Sequence, residues 1–146
     1  MASWTEADLA IRDRLGFGPK RVQTGILENH FGELPVGAAV IVPTDNPDWP
    51  YLIAAPTMRV PEPVPHTLNA YLAFRAVLVA VWRFNQKSKR KIRSVLVPGL
   101  ATGVGGMSAR RCAGQMKVAW SQVRGKPRIP SYKAIHQVHQ ALKLAD

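Results

Sequence analysis

Cysteine is nearly missing from this chain. Cys112 is the single one in 146 residues, so no internal disulfide can form, and the chain suits a reducing compartment, with the cytoplasm as default. Long apolar runs are missing too. The longest, Ala76 to Trp82, is far too short to span a bilayer, and Arg75 and Arg83 at its ends mark it as part of a buried helix. No membrane partner is therefore expected. The first residues, MASWTEADLAIRDRL, lack a basic start followed by an apolar core and do not read as a signal peptide. Acidic residues are the third scarcity. From Arg83 onward the only acid is Asp146, set against Arg83, Lys87, Lys89, Arg90, Lys91, Arg93, Arg110, Arg111, Lys117, Arg124, Lys126, Arg128, Lys133 and Lys143.

What is present describes a globular domain. At 47% hydrophobic and 20% charged residues the chain can bury a core, and its length suits a single domain over residues 1–146. The formal net charge of +11 makes the second half electropositive in any fold. Such a half either attracts polyanions (RNA, DNA or a pyrophosphate) or serves as a solvated surface. The run Lys87, Lys89, Arg90 and Lys91 is where a nucleic acid would first be sought.

Helices and short apolar strands alternate. Thr5-Glu6-Ala7-Asp8 fits a capping box and opens a helix over Glu6–Leu15, which Gly16 and Gly18 end. A second helix runs from Pro19 to about His30 with Val22, Ile26, Leu27 and Phe31 on one face. AAVIVP and Tyr51–Ala55 read as strands around the turn Asp45-Asn46-Pro47-Asp48. A proline-rich loop leads to Thr67, which is positioned to cap a long helix to about Asn85 with Leu68, Tyr71, Leu72, Leu78, Val81 and Trp82 as its core. Ile92–Val97 reads as a third strand. A helix over Ala109–Val123 should bury Cys112, Met116, Ala119, Trp120 and Val123, and a last helix, capped by Ser131, should bury Ile135, Val138 and Leu142. The class is α/β.

The segment IRSVLVPGLATGVGGMS carries the chemical signal. A β-branched run is followed by Gly99, Gly103, Gly105 and Gly106, then by Ser108, a good helix cap. Strand, glycine loop and helix N-terminus in that order can cradle a phosphate, because glycine lets the backbone approach and the first-turn N–H groups supply positive potential. The same order also serves as a plain tight turn.

Other candidates have ordinary structural readings beside functional ones. His136 and His139 lie three apart, but no Cys, Asp or Glu nearby completes a tetrahedral set, so no metal site is expected, and no cofactor. Cys112 follows two arginines near a helix N-terminus but lies on the apolar stripe. His30 and His66 have no evident partner for nucleophilic catalysis. Arg59 can meet a phosphate or an acid of the protein, and Trp49 and Tyr51 can stack on a base or simply pack.

Taken in order, LPVGAAVIVPT, YLIAAP, TLNAYLAFRAVLVAV and IRSVLVPGLATGVGGM resemble successive elements of a macro domain, the α/β module that binds ADP-ribose. The likeness runs from about Leu9 to Trp120. The family's second loop, Pro-x-Ile-Ser-Thr-Gly-x-aromatic-Gly, corresponds to Pro98-Gly99-Leu100-Ala101-Thr102-Gly103-Val104-Gly105-Gly106. Ala101 stands for the usual Ser, and Gly105 for the aromatic. The family's first two strands are absent, and its first glycine loop is replaced by Thr5-Glu6-Ala7-Asp8, where Asp8 matches an acid that hydrolytic members use.

The resemblance implies a three-layer macro-like fold with a small mixed sheet flanked by helices. It implies ADP-ribose, or an ADP-ribosylated substrate, held by Ala101, Thr102, Gly103, Val104, Gly105 and Gly106. Catalysis, if present, would be hydrolytic with Asp8 as base; binding alone is favoured because the first glycine loop is lost. A basic scaffold that binds nucleic acid on the same fold is the alternative. The missing strands leave a sheet edge through which a homo-oligomer could form.

Overall fold

The computed structural model describes residues 6–15 and 20–144, with side chains from Ala10 onward. Its elements in chain order are α1 (Glu6–Leu15), α2 (Lys20–His30), β1 (Val40–Pro43), β2 (Tyr51–Ala54), α3 (Asn69–Lys87), α4 (Ala109–Val123) and α5 (Tyr132–Leu144). The α/β class holds. The sheet consists of β1 and β2 alone, paired antiparallel with Val40 opposite Ala54 and Val42 opposite Leu52, where the sequence reads as a small mixed sheet.

Two small cores build the domain. In the first, Val40 and Val42 point from one face of β1 onto Val22 of α2, with Ile26, Leu34, Leu52 and Ala54 around them. Gly25 makes this approach close, since a Cβ there would stand 3.1 Å and 3.2 Å from the methyl groups of Val40 and Val42. The β1–β2 turn is stitched by polar groups. Asn46 accepts the N–H groups of Asp48 at 2.9 Å and Trp49 at 3.2 Å, and the buried Thr44 hydroxyl donates to the Trp49 carbonyl. Arg21 joins α2 to this turn, donating to the Pro43 carbonyl at 2.9 Å and pairing with Asp45.

The second core lies between α3 and α4. Ala70, Ala73, Ala76 and Val77 of α3 are buried, as are Cys112, Gln115 and Ala119 of α4. Small residues let the two helix backbones come close, so the alanines of α3 face its neighbour and Leu72 and Trp82 stay at the surface. This corrects the face expected from the larger apolar side chains. Leu27 on α2 and Phe31 just past its end, both expected on the packed face, are exposed, and Phe31 and Gly32 take left-handed φ values of 56° and 92° where the helix ends. Trp120 and Ile135 are also exposed, leaving Leu142 as the buried anchor of α5.

The third expected strand is a further difference. Residues 92–97 run extended but pair with no strand among the described residues. The Ile92 backbone is satisfied by both ends of the Asn85 side-chain amide, which donates to its carbonyl at 2.9 Å and accepts its N–H at 2.8 Å. A β-rich sequence becomes a ladder only when a neighbour supplies the other half of the hydrogen bonds. Here Val95 and Leu96 are exposed instead.

Candidate functional site

The glycine loop is built from the core outward. Ala101 sits buried in a left-handed conformation at φ 60°, among Val64, Ala70, Met107 and Cys112. Its carbonyl accepts the Met107 N–H at 2.9 Å, which closes the loop at its base. The Gly106 N–H donates to the Gly103 carbonyl at 2.9 Å and forms the tip. From outside, the Val64 N–H donates to the Gly105 carbonyl at 2.8 Å, tying the proline-rich segment to the loop. Thr102 closes the entrance, its hydroxyl donating to the Gly99 carbonyl at 2.9 Å.

These bonds leave a short run of donors unused. The N–H groups of Gly103, Val104 and Gly105 meet no acceptor among the described residues, and Gly103 and Val104 are exposed. Immediately afterwards comes α4, capped as the sequence implies: the Ser108 hydroxyl accepts the Arg111 N–H at 3.1 Å. The N–H groups at a helix start lack intrahelical partners and carry the positive end of the dipole. Loop and helix start together form a local field that favours an anion.

The glycines differ in what they do. A Cβ at Gly105 would lie 2.5 Å from the Ala101 carbonyl oxygen and 2.9 Å from a Val64 methyl, so the residue is glycine because the loop folds onto itself there. A Cβ at Gly103 would meet nothing within 4 Å. Gly106, at φ 64°, provides the left-handed bend before Met107.

One residue that sequence reasoning missed supports the site from behind. Gln115 on α4 is fully buried and spans to the start of α3, where its amide donates to the Thr67 carbonyl at 2.8 Å and accepts the Tyr71 N–H at 3.0 Å. It thereby caps α3 from another helix, while the Thr67 hydroxyl accepts the Asn69 N–H at 3.3 Å one position before the helix N-cap, Leu68. A polar residue at a core position of α4 was the available signal. Arg111, also buried, donates to the Lys143 carbonyl at 3.3 Å and so joins α4 to the C-terminal end of α5.

The remaining sequence candidates fall elsewhere. Arg59 pairs with Glu33 at 2.6 Å, the structural alternative. Tyr51 packs edge-on against Phe84 with ring centroids 4.8 Å apart, and Trp49 is exposed in the turn. Cys112 is buried with its sulfur 3.6 Å from that of Met116. His136 stacks on Tyr132, and no group of three or more His, Cys, Asp or Glu among the described residues is placed to hold a metal ion. The Lys91 ammonium is turned inward onto the Asn85 carbonyl. Asp8 lies on α1, and its side chain and the capping residue Thr5 fall outside the described residues. No helix among the described residues is long and apolar enough to cross a membrane.

The domain is α/β, with a glycine loop anchored in the core and leading into a capped helix start. The sequence model of the macro domain matches residues 5–116, and the chain belongs to that family, which is known for binding ADP-ribose. An uncharacterized protein of Aeropyrum pernix is 36% identical over 93 residues, a stretch that covers 64% of this chain and 46% of that relative. The chain thus spans about half the length of the curated relative it matches. No solved structure matches it.

Proposed function

We propose that this chain binds ADP-ribose, free or attached to a substrate, through the loop that precedes α4. The observation that carries the reading is the pair of exposed, unused N–H groups at Gly103 and Val104, followed by the buried Gly105 and the Ser108-capped helix start, in a chain of the macro domain family. The diphosphate would take these N–H groups, with Ala101 and Gly106 setting the curvature and Thr102 closing the loop base. Charge-assisted hydrogen bonds from several backbone donors suit a diphosphate better than a monophosphate, because both phosphoryl groups can be engaged along one loop.

The reading is one of binding. Hydrolysis would require an added base, and Asp8 is the residue the family pattern offers for it. Calorimetric titration with ADP-ribose, with AMP as the comparison, should show saturable one-to-one binding of ADP-ribose that AMP does not match. Gly103→Glu should abolish that heat while the melting temperature holds, since the position is open to solvent and the new carboxylate repels the phosphates. Unchanged affinity in Gly103→Glu would overturn the site. Turnover of an ADP-ribosylated peptide, lost in Asp8→Ala, would extend the reading to catalysis.

A further inference from the structure

The exposed face of α4 carries a row of cations that the phosphate loop does not use. Arg110, Lys117 and Arg124 are spaced seven apart, about two helical turns and roughly 10 Å each, and so lie within about 40° of one another around the axis. All three are exposed; Arg110 and Lys117 lie on the side of the helix opposite the buried Arg111, Cys112, Gln115 and Ala119, and Arg124 is its C-cap. Lys126 and Arg128 are exposed in the non-helical segment that follows. Trp120 stands beside it on the same side, 52% exposed, with no ring partner among the described residues.

The charges on this row meet no carboxylate among the described residues. The ion pairs among the described residues are Arg12 with Asp13, Arg21 with Asp45, and Arg59 with Glu33, all in the first half of the chain. From Arg83 onward the sole acid is Asp146. A periodic line of free cations with an exposed indole alongside has the two components that hold a nucleic-acid strand without reading its sequence. Cations neutralise successive phosphates, and an aromatic face stacks on a base.

We propose that this face of α4, with Arg110, Lys117 and Trp120 on the helix and Arg124 at its C-cap, is a docking track for single-stranded nucleic acid. An unpaired strand is favoured over a duplex because only unstacked bases can reach the Trp120 ring. Arg110 stands on the first turn of α4 beside the loop, whereas Lys117, Trp120 and Arg124 lie two or more turns further on, and it is at these three that the two functions can fail independently.

The test is fluorescence anisotropy of a labelled 20-nucleotide oligouridylate with the full chain, repeated across a salt series. Binding should weaken steeply with salt, at about 0.7 in the log–log slope for each phosphate neutralised. Arg110→Gln, Lys117→Gln and Arg124→Gln together should lower that slope by about 2, with an unchanged far-ultraviolet circular dichroism spectrum. A matched triple, Lys87→Gln, Lys89→Gln and Arg90→Gln, removes the same charge elsewhere and should change the slope much less. Trp120→Ala should weaken binding about tenfold, and titration of the parent should quench tryptophan emission. Equal losses from the two triples would make the effect one of net charge and overturn the track. Equal displacement by poly-glutamate would assign the face to an acidic protein, and tighter binding of a duplex of the same length would overturn the single-strand preference. Gly103→Glu should leave oligouridylate binding intact even though ADP-ribose binding is lost.

Discussion

Replacing Gly105 with alanine should destabilise this protein far more than the same change at Gly103, two residues away. The new methyl at Gly105 would sit 2.5 Å from the Ala101 carbonyl oxygen and 2.9 Å from Val64 Cγ2. Neither neighbour can yield cheaply. The Ala101 carbonyl holds the Met107 N–H at 2.9 Å, and Gly105 itself holds the Val64 N–H at 2.8 Å, so relief must move backbone that carries both bonds. Overpacking of this kind costs about 1–3 kcal/mol, and weakening one hydrogen bond adds about 1 kcal/mol, for a total of about 2–4 kcal/mol. For a domain of this length that corresponds to a fall in melting temperature of roughly 6–12 °C. At Gly103 a methyl would meet no atom within 4 Å, and the expected change is within about 0.5 kcal/mol. Thermal denaturation followed by circular dichroism, with urea titration as a second measure, separates the two. A Gly105→Ala protein that melts within a degree of the parent, or a Gly103→Ala protein destabilised as much, would refute the picture of a loop folded tightly onto itself at Gly105.

Two further perturbations follow from the same geometry. Gln115→Leu keeps the volume but strands the Thr67 carbonyl and the Tyr71 N–H in the interior, and should cost about 2–4 kcal/mol in urea denaturation; a loss below half a kcal/mol would show that the start of α3 does not depend on α4. Asp45 has its carboxyl held below the ordinary aspartate range by the hydrogen bond from Arg21 and by that cation's charge, with slight burial acting the other way. A lowered pKa in the folded state means the pair stabilises above the ordinary value of about 4 and that this contribution is lost as pH falls through the depressed one. Melting temperatures measured from pH 7 to pH 3 should therefore fall less steeply in Asp45→Asn than in the parent, and parallel curves would rule the pair out as a contributor.

Local signals and long-range packing divided the information in this chain. α4 spans Ala109–Val123 behind Ser108, both readable in advance, because a capping hydroxyl and a helical run of side chains act over a single turn. The α5 cap at Ser131, the strands around Asn46 and the glycine loop were legible for the same reason. The macro domain likeness could be read from the order of these segments, and the family match over residues 5–116 bears it out.

Which face of a helix is covered was a different matter. On α3 the leucines and Trp82 promised the core, yet Ala70, Ala73 and Ala76 took it. Close helix approach rewards small side chains, and only the position of α4 reveals that approach. The role of Gln115 depends on two partners, 44 and 48 positions away, that only the fold places beside it. Residues 92–97 had every local mark of a strand and paired with nothing among the described residues, since a ladder is made by two segments. Composition and spacing by themselves determined the helices, the β1–β2 hairpin, the glycine loop and the sign of the charge. Tertiary structure alone decided which loop N–H groups lack an acceptor among the described residues, which glycine the loop cannot replace, and which face of α4 is buried.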